Sequence, residues 1–274
     1  MTFFSACLCS YFLLWSSGLW AVRVLEPWLG DPYAFQAQVT YGYSHYPNVQ
    51  NASVPLKSAS NDHLVAGSIE WCLQNWDFEL EAELVDTPRQ SFGYRAAAMQ
   101  LRYLWLNDIA CDPFSLITGL IVQNTSTRSL KDVSCPYHAN MNFELNATFG
   151  KEWCRGPDWL WRGYGFFGAG IGNRGSPWLR GQLAIQGNMQ GRHQGQLFAL
   201  GYFGLGDETR VNTRHFFGWA KFRHQSVDLG GSYRYVFDCF GNISLDLTYR
   251  VFARSFPKEL FAFYLTYTIP FSAF

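Results

Sequence analysis

The sequence predicts an all-β chain that closes into an antiparallel, up-and-down transmembrane barrel of about twelve strands. Three observations carry this. Apolar and polar residues alternate with period two in blocks of roughly ten residues, which is the strand signature. The apolar faces of these blocks are heavily aromatic, and blocks of about nine or more residues fit a tilted membrane crossing better than a soluble strand. Beyond Arg23 there is no uninterrupted apolar run of about 18 residues, which excludes a polytopic helical membrane protein.

The elements follow in order. Residues 3–22 form an uncharged apolar run, with small residues at Ser16, Gly18 and Ala21 and the first charge at Arg23. We read residues 1–21 as a secretory signal peptide and 22–274 as a single barrel domain. No Lys or Arg precedes the apolar core, so an uncleaved anchor stays open as the alternative. Candidate strands then lie near 33–44, 63–73, 76–85, 93–106, 113–123, 138–150, 159–171, 178–189, 194–204, 214–223, 227–237, 242–253 and 260–271. The block at 76–85 is the clearest: Trp76, Phe78, Leu80, Ala82 and Leu84 share one face, and Asp77, Glu79, Glu81 and Glu83 the other. Met141, Phe143, Leu145, Ala147 and Phe149 alternate with Asn142, Glu144, Asn146 and Thr148 in the same way. Short connections between these blocks require antiparallel pairing, since parallel pairing needs long crossovers. Thirteen candidates are one too many or one too few for a barrel whose termini share a side. Twelve is the expected count, with ten and fourteen as alternatives. Counting from the N-terminus puts the long connections 45–62 and 124–137 at one end, and counting from the C-terminus reverses them. The error therefore lies in the middle or second half. Tyr43, Trp71, Trp76, Tyr103, Trp105, Trp159, Trp161 and Trp178 are expected as interfacial girdles.

Charge narrows the function. The 21 Lys and Arg balance the 21 Asp and Glu, which argues against a nucleic-acid partner or a polybasic membrane-surface role. If the apolar faces meet lipid, the lumen receives Glu70, Asp77, Glu79, Glu81, Glu83, Glu144, Asp228 and Asp246. It also receives Arg102, Arg162, Arg180, Lys221, Arg223, Arg234 and Arg250. Such groups line water or pair with one another. An acidic wall from Asp77 to Glu83, facing bases of the C-terminal half, would set a transverse field suited to a narrow pore for polar solutes. A lumen closed by salt bridges, in a structural or adhesive barrel that displays its loops, is the alternative. A secreted soluble β-protein is a further one.

The last strand is the specific motif. Phe261, Phe263, Leu265, Tyr267, Ile269 and Phe271 alternate without a break and the sequence ends on Phe274. This resembles the C-terminal assembly signal of Gram-negative outer-membrane β-barrel proteins. The resemblance implies an outer-membrane destination, contact with outer-membrane lipid and recognition by the barrel-insertion machinery. Phe274 is three residues past Phe271, so Pro270 would leave Phe271 as the effective signal residue. Cys72, Cys111, Cys135, Cys154 and Cys239 follow the signal segment, an odd number. Their number and position at turns look like the barrels of the disulfide-crosslinked chlamydial envelope, which implies disulfides to other envelope proteins. Homo-oligomerisation stays open. None of the cysteines forms a CxxC pair and the six His are scattered, so no metal or other cofactor is expected. His224 and Ser226 have the His-x-Ser spacing that outer-membrane phospholipases use, but the polar motif that follows it there is missing, and no enzyme is expected.

Overall fold

The computed structural model describes residues 26–30, 32–53, 59–154, 159–237 and 240–271. Twelve strands form the barrel wall: β1 (Phe35–Tyr46), β2 (Ser60–Cys72), β3 (Trp76–Thr87), β4 (Gln90–Leu106), β5 (Ser115–Thr125) and β6 (Met141–Cys154). They continue with β7 (Trp159–Gly172), β8 (Trp178–Met189), β9 (His193–Gly204), β10 (Gln225–Phe237), β11 (Gly241–Arg254) and β12 (Phe261–Phe271). Each strand pairs antiparallel with the next, and β1 pairs with β12 from Phe35 opposite Phe271 to His45 opposite Phe261. Closure leaves no open sheet edge, as an apolar surround demands. Among the described residues no helix is long and apolar enough to cross a membrane.

Every strand sends an apolar set outward. Val39, Ile69, Leu80, Leu145, Leu183, Leu197 and Leu265 are all exposed, which in water would be a large liability and in lipid is a solvated belt. Trp71, Trp76, Trp105, Trp153, Trp159 and Trp161 are exposed at the end that carries the N-terminus of β1 and the C-terminus of β12. They form an interfacial girdle at that end. Trp178 departs from the expected girdle: it is buried and points inward, its ring stacked on His138 at 4.1 Å between centroids.

The surplus strand is 214–223. It lies in the connection between β9 and β10, where Phe216, Trp219 and Phe222 are buried three residues apart. A spacing of three cannot keep one face of a strand. Gly218 breaks the run with φ of +74°, and a Cβ there would collide with the carbonyl of His138. Lys221 and Arg223, expected in the lumen, are exposed loop residues instead.

The Trp-rich end holds short turns such as 73–75 and 190–192 and the eight-residue connection 107–114, whereas the opposite end holds the long loops 47–59, 126–140 and 205–224 beside the tight turn 88–89. A two-residue ribbon between Asn48–Val49 and Pro257–Lys258 links two of the loops at the long-loop end.

Candidate functional site: the lumen and its two ends

The polar faces of the strands point inward, and most of their charges are paired with a near neighbour. Arg102 on β4 bonds Asp77 on β3, directly opposite in the ladder, at 2.5 Å, and Glu70 on β2 at 3.2 Å. Arg250 on β11 makes a two-pronged contact with Asp228 on β10 at 2.7 and 2.8 Å. Arg162 bonds Glu152 at 2.8 Å across β6 and β7. Arg180 on β8 reaches Glu144 on β6 at 2.7 Å, over the intervening β7. Gly168 on β7 makes this contact geometrically feasible, since a Cβ there would lie 2.7 Å from Glu144 Oε1. Glu70, Asp77, Glu144, Glu152 and Asp228 are thus neutralised locally, by pairs along the wall and not by a basic wall across the lumen.

Arg95 was not legible in the alternation. It bonds Glu83 at 2.7 Å from an odd-numbered position, although Ala96, Ala98, Gln100 and Arg102 are the inward residues of β4. The register shifts between Glu83, opposite Ala96, and Leu84, opposite Tyr94, so Arg95 is the extra residue of a bulge and also turns inward. The remaining predicted lumenal acids, Glu79, Glu81 and Asp246, are buried on the inner face.

The long-loop end is closed. Loop 126–140 turns in through a short 3-10 turn, Ser129–Lys131, and buries Leu130, Val133, Cys135 and Tyr137. The Tyr137 hydroxyl donates to Glu83 at 2.6 Å. Loop 205–224 packs on it: the Gly218 amide donates to the Leu130 carbonyl at 2.8 Å and the Trp219 indole to the Cys135 carbonyl at 2.8 Å. Trp219 is fully buried among Tyr46, Tyr202, Phe216, Phe222 and Phe256. Beneath it His138 and His224 face each other with their Nε2 atoms 3.0 Å apart, and His138 Nδ1 lies 2.7 Å from the Tyr202 hydroxyl. Burial pushes His138 down to about 3, and burial with the neighbouring His138 and Arg250 pushes His224 well below the usual imidazole value. Burial raises the Cys135 thiol to about 12.

The opposite end is crossed by residues 26–30. The Glu26 carbonyl accepts from Arg102 at 3.3 Å, its carboxylate accepts from Gln186 at 3.2 Å, and the Trp28 indole donates to Asp108 at 2.9 Å. The Trp28 ring meets Tyr164 edge-on and lies under the Arg162 guanidinium. This segment therefore touches inward residues of β4, β7 and β8.

Between the ends the two walls differ. On β3 to β6 the inward side chains, such as Asp77, Gln100 and Asn142, are buried. On β8 to β10 the inward Gln182, Ala184, Gln196, Phe198, Ser232 and Arg234 are only half-buried, so open space runs along this wall.

Among the described residues, four cysteines are free: Cys72 and Cys135 buried, Cys111 and Cys154 exposed. Cys239, Phe274 and the segment 1–21 lie outside the described residues. Glu70, Cys72 and Asp77 bring three donor atoms within 4.8 Å, but the Arg102 guanidinium already sits on both carboxylates. His224 turns to His138, and the Ser226 hydroxyl is buried without a hydrogen-bond partner among the described residues. Of the expected assembly strand, Phe263, Leu265, Tyr267, Ile269 and Phe271 face outward on β12, and Phe271 stacks on Phe35.

A closed, lipid-belted antiparallel barrel with a polar lumen is the architecture of outer-membrane β-barrels. The solved structures agree. The chain is similar to an outer membrane channel from Pseudomonas putida F1, with 12% identity and a TM-score of 0.66 over 92% of this chain and 100% of that one. It is also similar to the NanC porin, with 9% identity and a TM-score of 0.54 over 85% of this chain and 98% of that one. No family profile and no curated protein matches the sequence. The likeness is one of fold.

Proposed function

We propose that this chain is a bacterial outer-membrane pore for small polar solutes, held closed at its outer mouth by inward-folded loops. The carrying observation is the half-buried polar wall of β8 to β10, where Gln182, Gln196, Ser232 and Arg234 line space inside the barrel. Short turns at the Trp-rich end mark the periplasmic side and long loops the outer side. On this reading residues 1–21 are the export signal, and β12 is the strand that the insertion machinery reads. The exposed Cys111 and Cys154 lie at the periplasmic end, where disulfides to other envelope proteins would form. The polar groups Asp77, Glu79, Glu81, Glu83, Arg102, Glu144, Arg162, Arg180, Arg234, Asp246 and Arg250 line the lumen.

The test is ion conductance of the refolded protein in a planar bilayer. Discrete steps, rising in size or frequency when the outer loops are loosened, support the pore. Silence from an inserted barrel with loops intact, with loops trimmed, and with Trp28→Ala added to the trimmed chain overturns it. The second reading, a non-conducting barrel that displays its loops, is favoured by the completeness of the plug around Trp219.

A further inference from the structure

We propose that the lumen holds a binding site for a small zwitterion of the amino-acid type, with its carboxylate on Arg234 and its ammonium on Asp246. The proposal rests on the reading of the lumen as a solute path and names the class of solute. Arg89, Arg95, Arg102, Arg162, Arg180 and Arg250 each have a carboxylate within ion-pair distance. Arg234 faces the same lumen with no such carboxylate among the described residues. Its guanidinium makes one long hydrogen bond, Nη1 to the Gln194 side-chain oxygen at 3.4 Å.

The ladder explains why it is left over. Asp77 stands directly opposite Arg102, Asp228 opposite Arg250 and Glu152 opposite Arg162, and each of these pairs closes. Arg234 stands opposite Ser244, whereas Asp246 stands opposite Ser232. The two residues are therefore diagonal neighbours, their backbones roughly 7–8 Å apart along the wall. They remain unbridged.

Acceptors without donors surround the gap. Among the described residues, Asp246 Oδ2, Gln186 Oε1 and Asn188 Oδ1 are buried and lack a hydrogen-bond partner. Gln186 is oriented by its bond to Glu26, so the free atom is its oxygen. Gln186, Gln196, Ser232 and Asp246 lie in one register row across β8 to β11. This row offers acceptors for an ammonium group, while Arg234, one step nearer the periplasmic end, offers a base that has no carboxylate partner among the described residues. A solute with both charges satisfies both sets at once.

Calorimetric titration of the full chain, refolded in detergent micelles, tests this with three probes: L-alanine, propionate and ethylamine. The expected result is that L-alanine binds at least about tenfold more tightly than either single-charge analogue. Arg234→Gln should abolish the preference for alanine over ethylamine, Asp246→Asn the preference over propionate, and Arg234→Lys should retain part of the affinity. Heat-modifiable gel mobility shows that each variant is folded. Propionate binding as tightly as alanine would make this an anion site and overturn the proposal. So would alanine binding unchanged in both variants, or no binding, the outcome expected if Arg234 and Asp246 close on each other. Micelle titration requires no open channel. Alanine binding by a silent barrel therefore leaves the site standing and the pore reading lost, whereas conductance without alanine binding does the reverse.

Discussion

At the scale of single residues, the inner wall is a set of buried ion pairs whose halves are expensive to separate. Arg250 and Asp228 are almost wholly buried, and removing the base leaves an uncompensated carboxylate in the wall. Arg250→Met should therefore destabilise the barrel by about 3–5 kcal/mol, and the double change with Asp228→Leu should recover much of that loss. Urea unfolding of the refolded protein in detergent measures both. Gly170 makes a sharper steric case, because a Cβ there would collide with the Trp178 ring. Gly170→Val should cost about 1–3 kcal/mol and displace Trp178 from His138, which tryptophan fluorescence reports. Much of this inner wall was legible in the sequence, since parity alone placed Asp77, Arg102, Glu144 and Arg180 on the inside. Arg95 was not, because one bulge reverses parity and nothing in the composition near Tyr94 announces it.

At the scale of elements, the two inward loops set the chemistry of the long-loop end. His138 is held neutral down to about pH 3, against 6.5 for an unconstrained imidazole, and His224 is depressed in the same sense. Between these values the unfolded loop takes up protons that the folded loop refuses. The His138 contribution to the plug is therefore complete above about pH 6.5 and falls by up to about 1.4 kcal/mol per pH unit as pH drops towards 3, and His224 acts in the same direction. Hydrogen exchange of loops 126–140 and 205–224 should accelerate over that window, and His138→Gln with His224→Gln should flatten the dependence. Strand β12 carries a separate expectation: deletion of Phe271 to Phe274 should leave the chain in the periplasm, and normal outer-membrane levels would refute its role as the assembly signal. The false strand at 214–223 shows where sequence reading ends. Aromatic density there is as high as in the wall, but Phe216, Trp219 and Phe222 serve a plug, and only the three-residue spacing and Gly218 distinguish it.

At the scale of the whole molecule, the barrel joins two regimes that the sequence could not separate. Alternation gives lipid outside and polar groups inside whether the lumen conducts or not, so the choice rests on what fills it. The half beneath the long loops is packed like a core, with Trp219 fully buried and His138 stacked on Trp178. The half nearer the Trp-rich end keeps the half-buried wall of β8 to β10. If the loops are the barrier, replacing residues 207–221 with a short Gly-Ser turn should remove Phe216 and Trp219 from the mouth while leaving all twelve strands paired. The wall itself should survive, because strand-to-strand ladders do not pass through that loop. Conductance should then rise several-fold over the intact chain, with unchanged heat-modifiable mobility. A trimmed barrel that stays folded and silent would place the obstruction lower, where Glu26 and Trp28 bridge Arg102, Asp108 and Gln186. Trp28→Ala in the trimmed background would then be the change that opens the path, and silence from that barrel as well would establish a lumen closed along its length.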